Sequence, residues 1–298
     1  MTRWLITGAG GMLGRDVHSL LADRQVTALD RAALDITDPE AVRAAVAGHD
    51  VVINCAAWTD VDGAESAEAA ATAVNGTGVR HLAVACRDNG ARLLHVSTDY
   101  VLSGDGTEPC PESAPTAPVN AYGRSKLAGE QAVAELLPDT GYIVRTAWLY
   151  GEHGRNFVTT MLGLAQRRNT VDVVNDQQGQ PTWTRDLARL LLALGSADQA
   201  PPGVYHATAS GHTTWYGLAR AAYELAGLDP DRVRPTTSSA FPRPARRPAY
   251  SVLGHARWTA AGLPELPDWR ASLTEAMRCP SFSSLAREAV PSYRSSPH

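Results

Sequence analysis

The chain has 298 residues, with 27 Lys+Arg against 31 Asp+Glu, 9 His and a formal net charge of -4. At roughly 100–200 residues per domain this is two modest domains or one large one, and 44% hydrophobic with 19% charged residues excludes wholesale disorder. No apolar run reaches the ~18 residues of a membrane span, the opening Arg3-Trp4-Leu5-Ile6-Thr7 lacks the layout of a secretory signal, and a slightly acidic chain with dispersed arginines does not suit nucleic acid.

The first half alternates short apolar runs with helical patterns. Buried strands are predicted at Arg3–Thr7, Gln25–Leu29, Val51–Asn54, 92–97 and 142–146. Helices are predicted between them at 12–22, 39–47, 64–87 and 122–137, the second opened by Asp38 as cap and Pro39 in the first turn. This alternation is the signature of an α/β fold with a doubly wound, Rossmann-type parallel sheet. After Tyr150 the rhythm loosens. Helices are expected at 156–167, 184–194, 214–226 and 268–278, strands at Val171–Val174 and Gly203–His206, and an irregular Pro- and Arg-rich loop at 235–248. The expected division is a dinucleotide-binding domain over 1–150. A smaller, mainly substrate-binding domain follows over 151–278, with segments returning to the first. A frayed tail is expected over 279–298.

Cys55, Cys86, Cys110 and Cys279 are far apart and form no CxxC pair. They read as reduced thiols of a cytoplasmic protein. The histidines show neither HExxH nor HxxxH spacing, so no metal site is expected. All but one of the 27 basic residues are arginine; the exception is Lys126. Lysine differs from arginine in being a compact cation with a tunable pKa, so a site that needs those properties is where arginine fails.

Gly8-Ala9-Gly10-Gly11-Met12-Leu13-Gly14 joins the first strand to the first helix, with Gly8, Gly11 and Gly14 in GxxGxxG spacing. Glycine permits the tight turn, the approach of a pyrophosphate to bare backbone, and close packing of helix on strand. The helix-start N–H groups around Met12 and Leu13 then face the phosphates. Asp30 ends the second strand, where a carboxylate accepts from an adenosine ribose and favours NAD. Arg31 beside it and Arg15 after the loop suit a 2′-phosphate and favour NADP. Asp35-Ile36 are placed to flank the adenine.

Tyr122-Gly123-Arg124-Ser125-Lys126 puts a phenol and an ammonium four residues apart, on one helix face. A phenol titrates near ~10 when unperturbed; a nearby cation favours its ionised form. Such a tyrosine donates a proton to a carbonyl oxygen as hydride arrives, and Lys126 also reaches ribose hydroxyls. Thr98 ends the fourth strand, at the crevice side of a doubly wound sheet, where a hydroxyl stabilises charge on a substrate oxygen.

Further motifs extend the pattern. They are Asn54-Cys55-Ala56-Ala57-Trp58-Thr59-x-Val61-Asp62-x-Ala64-Glu65, Ser97-Thr98-Asp99-Tyr100-Val101, and Pro118-x-Asn120-x-Tyr122-Gly123-x-Ser125-Lys126-x-Ala128-Gly129-Glu130. Arg145-x-x-Trp148-x-Tyr150, Asn175-Asp176-Gln177-x-Gly179-x-Pro181-Thr182, Thr213-Thr214-Trp215 and Arg247-Pro248-x-x-Ser251-x-Leu253 follow. With these the chain resembles the extended short-chain dehydrogenase/reductases, and within them the dTDP-4-dehydrorhamnose reductase family. The resemblance implies hydride transfer from NADPH, or NADH, to the ketone of a dTDP-4-keto-6-deoxyhexose. Tyr122 would be the proton donor, Lys126 would lower its pKa, and Thr98 would hold the ketone oxygen. It adds Ala56, Ala57, Thr59 and Asn75 on the cofactor side, and Asp99, Tyr100, Trp148 and Arg247 on the substrate side.

Two departures stand out. Dimeric family members bind magnesium through interface glutamates; here Asp16 and Arg185 stand in those regions. That argues against Mg2+ and for a monomer or weak homodimer. Cys55 and Trp58 replace side chains that are smaller or different in the family. A sugar 4,6-dehydratase is disfavoured, because Asp99-Tyr100 follows Thr98 without the Asp-Glu pair that elimination needs. The remaining alternatives are a specialised reductase of an antibiotic pathway, such as a dTDP-dihydrostreptose synthase, and a non-catalytic NADP-binding regulator.

Overall fold

The computed structural model of the chain describes residues 1–289. The first half supplies β1 (Arg3–Thr7), α1 (Met12–Leu20), β2 (Gln25–Leu29), α2 (Pro39–Val46), β3 (Val51–Asn54), α3 (Val61–Ser66), α4 (Glu68–Thr72), α5 (Val79–Asn89), β4 (Arg92–Thr98), α6 (Ala121–Leu136) and β5 (Gly141–Thr146). The second half supplies β6 (Leu149–Tyr150), α7 (Phe157–Ala165), β7 (Val171–Val174), β8 (Gln178–Gly179), β9 (Thr182–Trp183), α8 (Thr184–Ser196), β10 (Gly203–His206) and β11 (Thr213–Thr214). It continues with α9 (Trp215–Leu225), β12 (Val233–Thr236), α10 (Ala256–Ala260), α11 (Trp269–Ala276) and α12 (Pro280–Ala289).

Six strands form one parallel sheet in the order β10-β5-β4-β3-β1-β2. Successive residues of a strand point to opposite faces, and the apolar runs split accordingly. Trp4, Ile6, Val51, Ile53, Leu94, Tyr142 and Val144 face one layer, with α1, α8 and Trp258. Leu5, Val52, Leu93 and Ile143 face the other, with α2 and α5. This is a doubly wound, Rossmann-type sheet. The strand order reverses between β1 and β3, which opens a crevice at the strand C-termini.

The capping logic at α2 holds: Asp38 accepts from the N–H groups of Glu40 and Ala41, and Pro39 occupies the first turn. Three expectations are corrected. The helix predicted over 64–87 is broken into α3, α4, a π-helical turn at Ala73–Gly78, and α5. Close packing explains the break: a Cβ on Gly78 would lie 2.8 Å from Ile36 Cγ1, and one on Gly76 would lie 3.0 Å from the Ala128 methyl. The loop predicted over 235–248 gives up its first two residues to β12, which pairs in parallel with β7. The tail expected to fray from 279 instead forms α12, whose Phe282 is buried against Tyr150; 290–298 lie outside the described residues.

A second set of cores joins α7, α9, α11 and α12 through Val158, Leu162, Leu218, Leu273 and Phe282, and α7, α9, β7 and β12 through Met161, Val173, Tyr223 and Val233. Among the described residues no helix is long and apolar enough to cross a membrane.

Candidate active site

Gly8 has φ +69°, and a Cβ there would lie 2.5 Å from the Ala56 nitrogen. A Cβ on Gly14 would run into the Gly8 carbonyl. Both positions therefore demand glycine, and they bring the β1–α1 turn hard against Ala56 at the end of β3. Gly11 is the N-cap of α1, without a side-chain cap among the described residues. The first-turn N–H groups are left for an anionic ligand.

This turn opens into a cavity of about 1240 Å3. Gly8, Gly11, Met12, Leu13, Gly14, Asp30, Arg31, Asp35, Ile36, Ala56, Ala57 and Thr59 line one part of it, as the sequence suggested. Thr98, Asp99, Tyr100, Tyr122, Lys126 and Trp148 line another. Asp30 Oδ1 accepts from the N–H groups of Ala32 and Ala33, both at 3.0 Å. Asp35 Oδ1 accepts from the Thr37 N–H at 2.9 Å and hydroxyl at 2.8 Å, bonds that hold its carboxyl below the usual range. A bare helix start, a glycine turn that excludes side chains and a cavity of this size fit a dinucleotide.

Asn120 caps α6, its Oδ1 accepting from the Gly123 N–H at 2.8 Å. Gly123 lets that helix start pass under Tyr100, since a Cβ would strike the Tyr100 carbonyl. Tyr122 and Tyr100 meet edge to face, centroids 5.9 Å apart. The Thr98 hydroxyl faces the Tyr122 phenol and draws its pKa down, but burial and the Asp99 charge win, and the phenol is pushed well above its ordinary value. The Lys126 Nζ donates to the Val96 carbonyl at 2.6 Å.

The surroundings of Lys126 explain that orientation. Asn54 Oδ1 accepts from the Thr7 hydroxyl (2.6 Å) and the Ala56 N–H (3.1 Å), so its Nδ2 is the donor to His95 Nδ1 at 3.0 Å. His95 Nε2 lies 3.5 Å from Lys126 Nζ. Burial pushes the lysine down to about 8, with the nearby Glu130 charge opposing. Burial and Lys126 together hold His95 well below the ordinary histidine value, so it is neutral. Beside this chain, Glu130 takes a bidentate pair from Arg145 (2.7 and 2.9 Å) and a hydroxyl bond from Ser97 (2.6 Å), all buried. Sequence reasoning quoted Asn54, Glu130 and Arg145 without a role and did not single out His95. Nothing in the spacing of these residues signals that they meet.

At the far end Trp148, the one non-glycine residue with positive φ (48°) among those described, stacks on Trp215 of α9. Trp215 lines the cavity too; its motif was visible, its place was not. Two expected residues lie off the cavity wall. Asn75 is fully buried, its amide tied to the Trp58 N–H and carbonyl and to the Ser125 hydroxyl; it shapes the wall from behind. Arg247 forks onto Asp62, Nη2 to Oδ2 at 3.1 Å, and Nη1 also bonds the Ala245 carbonyl. It pins the 243–247 loop to α3.

Asp16 does not fit a magnesium site: its carboxylate points inward and accepts from the Thr184 hydroxyl. Among the described residues no three His, Cys, Asp or Glu side chains gather as metal ligands, and all four cysteines are free. Cys55 lines the cavity, but burial pushes its thiol up to about 12, which leaves it unreactive.

The family described as RmlD substrate binding domain matches residues 2–280. A dTDP-4-dehydrorhamnose reductase of Streptomyces griseus is 59% identical over 98% of this chain and 98% of its own. The chain belongs to the dTDP-4-dehydrorhamnose reductase family. A second relative, dTDP-4-keto-6-deoxy-D-glucose reductase of Streptomyces niveus, is 54% identical over 92% of this chain and 96% of its own. The crystal structure of dTDP-4-dehydrorhamnose reductase from Bacillus anthracis in complex with NADP superposes with a TM-score of 0.88. That protein is 37% identical, and the match covers 93% of this chain and 99% of the other.

Proposed function

We propose that the chain reduces the 4-keto group of a dTDP-4-keto-6-deoxyhexose with NADPH, using Tyr122 as proton donor. The observation that carries this reading is the convergence of the glycine turn, Thr98, Tyr122 and Lys126 on one cavity, with the Tyr122 phenol pushed by burial well above its ordinary value. A phenol so shifted holds its proton at neutral pH, as an acid for carbonyl reduction must.

Each residue then has a task. The N–H groups at the start of α1 hold the pyrophosphate. Arg31 and Arg15 take a 2′-phosphate, and Asp35 and Ile36 border the adenine. Lys126, charged below about 8, bonds ribose hydroxyls. When bound, the nicotinamide supplies hydride to the ketone carbon. The Thr98 hydroxyl orients the ketone oxygen, and Tyr122 transfers its phenolic proton to that oxygen. Trp148 and Trp215 wall the sugar. In this reading residues 1–150 bind the cofactor, and 151–278 complete the sugar pocket.

Incubation of the protein with NADPH and a dTDP-4-keto-6-deoxy sugar tests this. The expected result is stoichiometric loss of NADPH absorbance and an NMR spectrum of the 4-hydroxy product. Tyr122→Phe should bind NADPH normally and lose about 10²–10⁴-fold in turnover. Tight NADPH binding without turnover in the unmodified protein would overturn the reading and favour a cofactor-binding regulator.

A further inference from the structure

Asp99 is not needed by the chemistry just described, yet it sits inside it. The residue is 3% exposed and lies at the cavity wall. Oδ1 accepts from the Thr98 hydroxyl at 2.9 Å. Oδ2 is buried and has no hydrogen-bond partner among the described residues. An ionised carboxylate with one oxygen buried and unpaired is costly. Protonation relieves that cost and makes the carboxyl a donor.

We propose that Asp99 returns a proton to Tyr122 through the hydroxyl of Thr98 after each reduction. The proposal rests on the reading of Tyr122 as proton donor. The three groups are in series: the Thr98 hydroxyl bonds Asp99 on one side and faces the Tyr122 phenol on the other. The Tyr100 N–H donates to the same Thr98 oxygen at 3.2 Å and fixes the hydroxyl between them. When Asp99 is ionised, Thr98 donates to it. When Asp99 is protonated, the bond reverses and the threonine O–H is free to turn to the phenol.

The step balances. The Tyr122 O–H bond breaks as the alkoxide gains its proton, which leaves a phenolate. The Thr98 O–H bond breaks as the tyrosine O–H re-forms, and the Asp99 O–H bond breaks as the threonine O–H re-forms. The net movement is one proton from carboxyl to phenolate, and water in the open cavity restores the carboxyl as product leaves. No oxidant or reductant is involved.

Asp99 has the environment for this. Burial pushes its carboxyl up to about 6, against the opposing influence of the nearby Ser251 and Thr98 hydroxyls. The titratable groups facing it are the phenols of Tyr122, from α6, and Tyr100, and the charges of Arg247 and Asp62 act in turn on Tyr100. Ser251, from the loop after Arg247, faces the same carboxyl as a neutral hydroxyl. Asp99 acts through Thr98, so it is a positioning residue and not a catalytic one.

The test is Asp99→Asn, which keeps the shape and removes the titration. The expected result is NADPH affinity within about twofold of the unmodified protein and kcat lower by about tenfold or more. The alkaline fall of kcat that Asp99 sets should vanish in this variant. In Asp99→Ala, added formate should restore turnover. On the unmodified protein, kcat against deuterium fraction should bow, because several protons move together; this measurement needs no variant to fold. A straight dependence, or an Asp99→Asn enzyme with full rate and unchanged pH profile, overturns the relay while an inactive Tyr122→Phe keeps the donor reading. An active Tyr122→Phe overturns both.

Discussion

Trp148 and Trp215 lie face to face, ring centroids 3.6 Å apart and planes 8° from parallel, although 66 positions of chain separate a β5–β6 connection from the start of α9. Phe157 supports the stack, 4.7 Å from the Trp215 ring. Gly179 sits beneath it, where a Cβ would collide with the Trp148 indole. The left-handed backbone of Trp148 is held by this packing and not by any local preference.

Trp215→Ala is therefore expected to loosen Trp148 at the sugar end only. Such a stack is worth about 0.5–1.5 kcal/mol beyond its buried area, or roughly a two- to tenfold rise in KM for the sugar nucleotide. The KM for NADPH should not move. Equal changes in both, in steady-state kinetics, would count against a sugar-specific wall.

Lys126→Arg should behave as a disruptive change. The ammonium is buried, donates to Val96 and lies 3.5 Å from His95. A planar guanidinium has neither the size nor the shape for that pocket. A fall in kcat of roughly 100-fold or more, with weaker NADPH binding by fluorescence titration, is the expected outcome. Unchanged kinetics would mean that the single lysine of the chain has no special task.

The buried histidines set the acid limit of stability. His206 places Nδ1 3.1 Å from the Gly254 carbonyl and Nε2 3.4 Å from Arg145. This suits the neutral ring, and burial with the Arg145 charge pushes it down to about 3. The folded pKa lies below the unfolded value, so the unfolded chain binds more protons in that window. The stability is complete above the unfolded pKa and is lost as pH falls toward the folded one. Each such histidine contributes a slope of about 1.4 kcal/mol per pH unit. Urea melts of His206→Gln between about pH 6 and about pH 4 should show a slope shallower by one proton. An unaltered slope would place the acid sensitivity elsewhere.

Arg31 is exposed at the cavity wall beside Asp30, whose Oδ1 is taken by two backbone N–H groups. A charge-assisted bond to a 2′-phosphate is worth about 1.5–3 kcal/mol. Arg31→Ala should thus weaken NADPH by roughly tenfold or more and leave NADH nearly unchanged, as titration of both coenzymes will tell. Parallel losses would move the 2′-phosphate contact away from Arg31.

The central strands were legible because they are apolar runs buried on both faces, and β1, β2, β3 and β10 fall where the sequence puts them. The glycine turn, Thr98, Tyr122 and Lys126 were legible because their chemistry fixes both residue type and spacing. Arg247 lies in a motif just as clear and Asn75 came with the resemblance, but neither signal says whether an amide or a guanidinium turns toward a ligand or toward Trp58 and Asp62. The break at Ala73–Gly78 was hidden because it depends on Ile36 and Ala128, partners remote in sequence. The same is true of His95, which looks like any polar residue in a strand until Asn54 and Lys126 are placed around it.

The sheet is finished late. β10 closes one edge and α8 roofs one face through Leu187, Leu190, Leu191 and Leu194, while Trp258 lies still further along. A ribosome that has released only the first 150 residues has made five strands with a bare apolar side and an open rim. Such a nascent piece invites aggregation or chaperone capture, and a gene cut at that point would not yield a free-standing nucleotide module. Assembly of the whole is gated by its last third.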